Sequence, residues 1–504
     1  MQLAPMLAVI ALISVFVLST TVSIVSLFKA RKVDPLQGYL LAGGGLSRPS
    51  VISLLLSASF GLNALFYAAW LGYAIGMWAV IIQIAWSVSF FLLAQHVSTI
   101  RRHKSLHELL GTRFGPKTRI VAGLCSILGI MYFIGWEVGI GRATIGGLIE
   151  TTSPSGPATL SSDWLIAGVV FGSLLYTVLG GLRGNAAADI VQNLLKIIII
   201  CFLTYLLFSR FLVQSQSSMS HALFPPLETI GATPGLGWWA FVTNIMFNLA
   251  WQFVDNSTWQ SIIGSAKATS EDIAKTVRLS GLSIFLVPNL IATILGASLA
   301  GTPEIDPNNI LVKAVSLVPN LSWFVLLLVF IAVTASVMSV IDGYFLASAY
   351  ALIIDVIHPT ENVADLDKDP QRAKRLLLVV RLGLVLLAVT AIWGVKALLE
   401  LLELNLFDFV YIVIITQLSL LGPVIIALLS NRVSRFPLWI PIVAALVVGF
   451  GSVYIGTSHE YRWAIDGAGT FAILASCLLA FIGTKKNPIV LEADEYLAFE
   501  KKLV

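Results

Sequence analysis

Two stretches of this chain combine small or polar residues with apolar surroundings in a way that could free backbone groups for a ligand. Between Val51 and Gly76 the apolar run is interrupted by Ser57, Ser59, Gly61 and Asn63, and between Trp238 and Asp255 by Asn244, Asn248, Gln252 and Asp255. A transmembrane helix unwound at such a point offers carbonyl oxygens to a cation, so ion binding needs no buried charge. Tyr67 and Trp251 sit inside the same stretches and are candidate walls of a solute cavity. Asp255 beside Trp251 suits an ammonium-bearing solute through ion pairing and cation–π attraction, or is an interfacial loop acid. Gln417 is a further polar candidate.

Single ionisable residues inside apolar runs are the next signal. A carboxylate at the bilayer centre costs on the order of 3 kcal/mol, which makes Asp342 a proton carrier, a counter-ion for a cationic solute, or a packing partner in a wet cavity. Asp189 lies near the start of its span, where charges are tolerated cheaply and it either pairs with Arg183 or has a functional role. Glu137 and Arg142 are close enough in sequence to satisfy each other in part, and Lys196 is expected to snorkel toward an interface. None of the six histidines falls at mid-span, so a membrane-embedded enzyme lacks its base. Cys125, Cys201 and Cys477 show no metal or disulfide spacing and read as small core residues.

The elements that must position these groups are transmembrane helices. Thirteen apolar stretches of about 20 residues fill the chain, beginning near Pro5, Val51, Tyr73, Val121, Trp164, Ala187, Trp238, Leu279, Trp323, Leu376, Leu406, Leu438 and Trp463. With 57% hydrophobic and 12% charged residues among 504, no soluble domain of useful size remains. The loops on one side carry 24 Lys and Arg, those on the other only Arg210, Lys313, Lys396 and Arg462. By the positive-inside rule the N-terminus is outside and the C-terminus cytoplasmic, in a multi-pass protein of the plasma (inner) membrane. The basic residues flank spans and form no polar face for nucleic acid.

The two interrupted segments lie five spans apart. That spacing predicts a transporter of two inverted five-helix repeats. The expected division is a first extra helix and lead-in loop at 1–49, repeats at 50–213 and 237–430, and two peripheral helices with a tail at 431–504.

Several strings resemble the sodium/solute symporter family, relatives of the sodium/glucose and sodium/proline cotransporters. Gly38 to Leu46 (GYLLAGGGL) is similar to its approach to the first core helix, and Gly72 to Gly76 (GYAIG) to the exit from it. Ser105 to Gly115 (SLHELLGTRFG), Tyr176 to Leu182 (YTVLGGL) with Asp189 and Gln192, and Trp259-Gln260 through Ala266-Lys267 resemble three further signatures in the expected order. The likeness spans about residues 5–430 and implies a LeuT-like 5+5 inverted repeat working by alternating access.

Carried over by residue, the resemblance implies sodium-binding carbonyls at Ser57, Phe60 and Ser336, and hydroxyl ligands at Ser339 and Val340. Ser59, Asn63 and Gln83 then face the solute, and Asp189 lies on the sodium path. Val340 departs from the pattern, because an isopropyl group cannot coordinate a cation. Sodium-coupled symport of a small polar solute, an amino acid or amine, is therefore one expectation. A solute sensor, or an uncoupled or proton-coupled carrier with a degenerate sodium site, is the alternative. The implied partners are the solute, the lipid bilayer and Na+ or a proton. No cofactor is expected, and nothing in the sequence sets the oligomeric state.

Overall fold

The computed structural model describes residues 3–28, 35–152, 161–213, 223–232, 236–300, 310–316, 321–361, 363–402 and 408–486. The loop bases Lys29, Arg31, Lys32, Lys501 and Lys502 lie outside these residues, as does half of the polar stretch from Gln214 to Gly237.

The chain is helical almost throughout because its apolar runs leave the backbone no partner but itself. The main helices are α1 (Leu3–Phe28), α2 (Arg48–Ser59), α3 (Leu62–Ile75), α4 (Ala79–Ala94), α5 (Pro116–Thr152), α6 (Ser162–Val213), α7 (Trp238–Val254) and α8 (Asn256–Ile263). They continue as α9 (Ser270–Ile284), α10 (Leu290–Leu299), α11 (Trp323–Tyr350), α12 (Pro370–Leu402), α13 (Phe409–Leu418), α14 (Leu421–Leu429), α15 (Trp439–Ser458) and α16 (Arg462–Ile482).

Among the described residues, ten helical segments are long and apolar enough to cross a membrane, or eleven if the bent pair Pro35–Gly44 and Arg48–Ser59 forms one span. The thirteen expected spans are not recovered by this measure. Leu62–Ala94 and Ser162–Ser209 each run as one segment through the positions where two spans were expected. Glycines mark the joints: Gly76 (φ 59°) parts α3 from α4, and Gly181 (φ 53°) kinks α6. The 17 residues of α7 fall just short on their own, because that helix ends at a break.

Two kinds of helix surface follow from composition. In the most apolar stretch of Trp323–Ile357 and of Phe409–Leu429, 72% and 83% of the residues are buried within the bundle, against 28% in those of Leu3–Phe28 and Pro370–Gly394. The latter show Ile13, Val17, Leu382 and Leu386 outward, as suits helices facing lipid. Cys201, expected in the core, is exposed on this apolar surface.

The sequence signatures dock on one another at the basic end. Ala42, Gly43 and Gly44 all take left-handed φ (50°, 59° and 69°), turning the chain between the short helix Pro35–Leu41 and α2. A Cβ on Gly44 would stand 2.9 Å from that of Ala266, so only glycine allows the approach. Lys267 N donates to the Gly44 carbonyl and Leu46 N to that of Gly264, both at 3.0 Å. Arg183 reaches the Ala42 carbonyl at 2.9 Å rather than Asp189. In the Ser105–Gly115 signature, Ser105 caps the helix Leu106–Phe114, and His107 and Arg119 both bind Asp355, at 2.8 and 2.9 Å.

Candidate functional site

Both interrupted segments are broken helices. The first breaks at Phe60–Gly61 between α2 and α3, the second at Asp255 between α7 and α8. Gly61 is required at its position: a Cβ there would run into Val340, Asn63 Oδ1 and Glu137 Oε2.

Each break leaves the first amides of a half-helix without an intrahelical partner. At the first, Glu137 of α5 accepts from Leu62 N at 2.9 Å and Asn63 N at 2.8 Å. At the second, Asp255 accepts from Ser257 N and Thr258 N, both at 3.1 Å, and from the Thr258 hydroxyl at 2.6 Å. Glu137 therefore does not pair with Arg142, whose Nε lies 2.9 Å from Asp163. Asp255 is a helix cap and does not line the cavity in which a solute was expected.

That cavity is walled by Ala58, Ser59, Asn63, Ala64, Tyr67, Gln83, Trp86, Phe133, Trp136, Phe247, Asn248 and Asn289. Ser59, Asn63, Tyr67 and Gln83 come together as expected positions on its wall. Trp251 stands behind it, stacked on Trp86 at 6.2 Å between ring centroids and 5.2 Å from Phe133. Gln417 is elsewhere, donating to the Ser126 carbonyl at 3.1 Å and packed on Gly129.

Several wall atoms are buried without a hydrogen-bond partner among the described residues. The donors are Asn63 Nδ2, Gln83 Nε2 and Trp86 Nε1, and the acceptors Asn248 Oδ1 and Asn289 Oδ1. Unmet buried polar atoms are costly, so their concentration on one cavity wall marks where a ligand's polar groups complete them. The remaining valences are fixed: Asn289 donates to Gln83 Oε1 at 2.9 Å and Asn248 to the Ile82 carbonyl at 2.7 Å. The wall carries four amides and four further aromatic rings beside Tyr67, and no charged side chain.

Asn289 was missed in sequence, although Pro288 beside it marks a π-helical stretch, Phe285–Asn289, between α9 and α10. Trp86, Phe133, Trp136 and Phe247 were missed because rings in a span look like core.

At the expected ion site, Lys196 replaces the anticipated picture. It is fully buried, not snorkelling, and its Nζ donates to the Phe60 carbonyl at 2.7 Å. Ser57 Oγ donates to Asn193 Oδ1 at 3.3 Å. Ser336 accepts at its carbonyl from Ser339 Oγ at 3.0 Å, and Val340 packs on Gly61. Asp342 accepts from the Tyr176 hydroxyl at 2.9 Å through Oδ2, while its Oδ1 and both oxygens of Asp189 have no hydrogen-bond partner among the described residues.

The architecture has known counterparts among solved structures. A Na+-coupled sialic acid symporter, in its substrate-bound outward-open state, superposes with a TM-score of 0.71 at 14% identity over 95% of this chain and 99% of that one. MHP1, a nucleobase-cation-symport-1 family transporter in a closed conformation with bromovinylhydantoin bound, gives 0.55 at 13% identity over 88% and 92%. The fold is LeuT-like. It is the inverted arrangement of two five-helix units that the spacing of the breaks predicted. No protein-family model matches the chain, and no curated protein does. At such identities the likeness establishes the fold alone.

Proposed function

We propose that this protein is a secondary carrier that moves a small uncharged polar solute across the membrane by alternating access, coupled to an ion gradient. The observation that carries the reading is the set of unpaired amide and indole atoms on the cavity wall beside the first broken helix. Asn63, Gln83, Asn248 and Asn289 offer both donors and acceptors, which fits a solute whose edge alternates the two. Trp86, Trp136, Phe133 and Phe247 supply flat apolar faces, which fits a ring. A nucleobase-like heterocycle offers both, an alternating polar edge and a flat face.

This reading revises the expectation of an amino acid or amine. Half-helix N-termini serve carboxylate solutes by offering free amides. Here Glu137 and Asp255 already occupy those amides, and Asp255 is not available to an ammonium group. The structural relatives named above are cation-coupled symporters, which supports coupling to an ion here. We read the repeats as 50–213 and 237–430, and the basic side as cytoplasmic.

The test is a thermal-shift screen of the purified protein followed by flux into proteoliposomes. Nucleobases and cyclic imides are expected to raise Tm and to accumulate against their gradient until the ion gradient is collapsed. Stabilisation by amino acids and amines alone would sink the solute assignment; equilibration without accumulation would sink the coupled carrier.

A further inference from the structure

A second group of buried polar side chains lies where α2, α5, α6 and α11 meet. Asp189, Gln192, Asn193 and Lys196 recur at helical spacing, so they share one face of α6. Asn193 Nδ2 binds the Ser53 carbonyl and hydroxyl on α2, both at 2.9 Å, and Gln192 donates to the Tyr176 hydroxyl at 3.0 Å. Lys196 completes the stripe. Its Nζ stands 2.7 Å from the Phe60 carbonyl and 5.2 Å from the centroid of the Phe60 ring.

The Phe60 carbonyl closes the first half-helix, where the peptide dipoles leave partial negative charge. A cation belongs there, and the ammonium supplies it. Among the oxygens that could help a free ion, the Ser339 hydroxyl is turned onto its own helix and Val340 brings none. Three carboxyl groups act on the ammonium electrostatically: Asp189 on the same helix, Glu137 on α5 and Asp342 on α11. Tyr176 is the other titratable neighbour, through its bond to Asp342. Of the remaining helices against α6, α1 and α10 carry no titratable residue, α2 only Arg48 at its far end, the short helix Pro35–Leu41 brings Tyr39, which donates to the Thr177 carbonyl, and α12 brings Arg381, which stands over the Tyr39 ring.

We propose that Lys196 is the carrier's own tethered cation, seated where an ion would join the broken helix to α11, and that its proton, not sodium, couples the cycle. When the site opens to water, the ammonium passes a proton to a water molecule, giving an amine and hydronium. The amine then holds the Phe60 carbonyl through a neutral hydrogen bond, weaker than the charge-assisted one, and the break is free to rearrange. Proton uptake from water on the other side restores the bond.

This deepens the carrier reading and rests on it. Every readout below is taken without solute, so loss of the Lys196 effect and loss of flux register separately. Replacing potassium by sodium at equal ionic strength is expected to leave the wild-type Tm unchanged within about 1 °C, whereas an ion at roughly a hundredfold excess over its Kd raises it by several degrees. Hydrogen exchange across residues 56–64, corrected for intrinsic rates, is expected to rise about fivefold from pH 6 to pH 9 as the bond to Phe60 weakens. In Lys196→Arg, which stays charged, that rise is expected to vanish. In Lys196→Gln, exchange at pH 6 is expected to match wild type at pH 9. A sodium-specific rise of several degrees in the wild type, or a pH response that persists in Lys196→Arg, would overturn the proposal.

Discussion

Glu137 stands to the first broken helix as Asp255 stands to the second: each carboxylate accepts two consecutive backbone amides at the start of the half-helix that follows the break. One comes from a neighbouring helix and the other is the cap of its own, yet both do the same electrostatic work at a helix N-terminus. Replacing Glu137 by Gln removes the charge and leaves one oxygen for two donors. A loss of about 1–3 kcal/mol is expected, larger for Glu137→Ala, read from chemical denaturation in detergent. An unchanged midpoint in Glu137→Ala would show that the amides find water instead.

The cavity and the caps are separable by mutation. Asn289→Ala is expected to weaken binding of the best solute roughly tenfold, about 1.4 kcal/mol, with little change in stability. Asp255→Ala is expected to do the reverse, lowering stability by about 1 kcal/mol while the solute Kd holds. Calorimetric titration beside a melting curve distinguishes the two; a tenfold rise in Kd for Asp255→Ala would return that residue to the solute site.

Gly72 and Gly296 are expected to be intolerant of a methyl group. A Cβ on Gly72 of α3 would overlap the Thr293 carbonyl, and one on Gly296 of α10 the Ala69 carbonyl, so the two backbones touch at both points. Forcing them apart costs about 3 kcal/mol by analogy with overpacked cores. Gly72→Ala should therefore give little folded protein on size exclusion, whereas Gly451→Ala, with open space around it, should give normal yields.

Between α11 and α12, Arg372 at the start of α12 grips both oxygens of Glu361 at 2.7 Å, and His358 adds a contact at 3.2 Å. The Arg372 hydrogen bonds hold the Glu361 carboxyl below its usual range. The stabilisation is thus complete above the ordinary glutamate pKa and lost as pH falls through the lowered one. Hydrogen exchange at residues 363–375 is expected to rise on acidification in the wild type and to be already raised at neutral pH in Glu361→Gln. Equal exchange at neutral pH in the two proteins would count against the bridge as a clamp.

Much of this architecture was legible in the sequence because a bilayer imposes simple rules. The Ser57–Asn63 and Asn244–Asp255 interruptions located both breaks, and Ser59, Asn63, Tyr67 and Gln83 reached the cavity wall. Charge was harder to read. Lys196 resembled a snorkelling lysine until its helical phase with Asp189, Gln192 and Asn193 is considered, since that phase points it inward. Asp255 looked like a binding acid, but a carboxylate at a break is as apt to cap the next turn. Gln417 was simply on another face. The thirteen expected spans were counted from hydropathy alone, which cannot tell a joint at glycine from a continuous rod.

The stack of Trp86 on Trp251 carries a practical consequence. Trp86 and Trp136, two of thirteen tryptophans, form part of the cavity wall, and Trp86 has an indole N–H with no hydrogen-bond partner among the described residues. A solute that accepts that proton changes the polarity around an emitting ring. Occupancy is then visible as a shift in intrinsic fluorescence, with no label and no membrane, and removing Trp86 is expected to darken the signal. The protein brings its own optical reporter to the wall of its cavity.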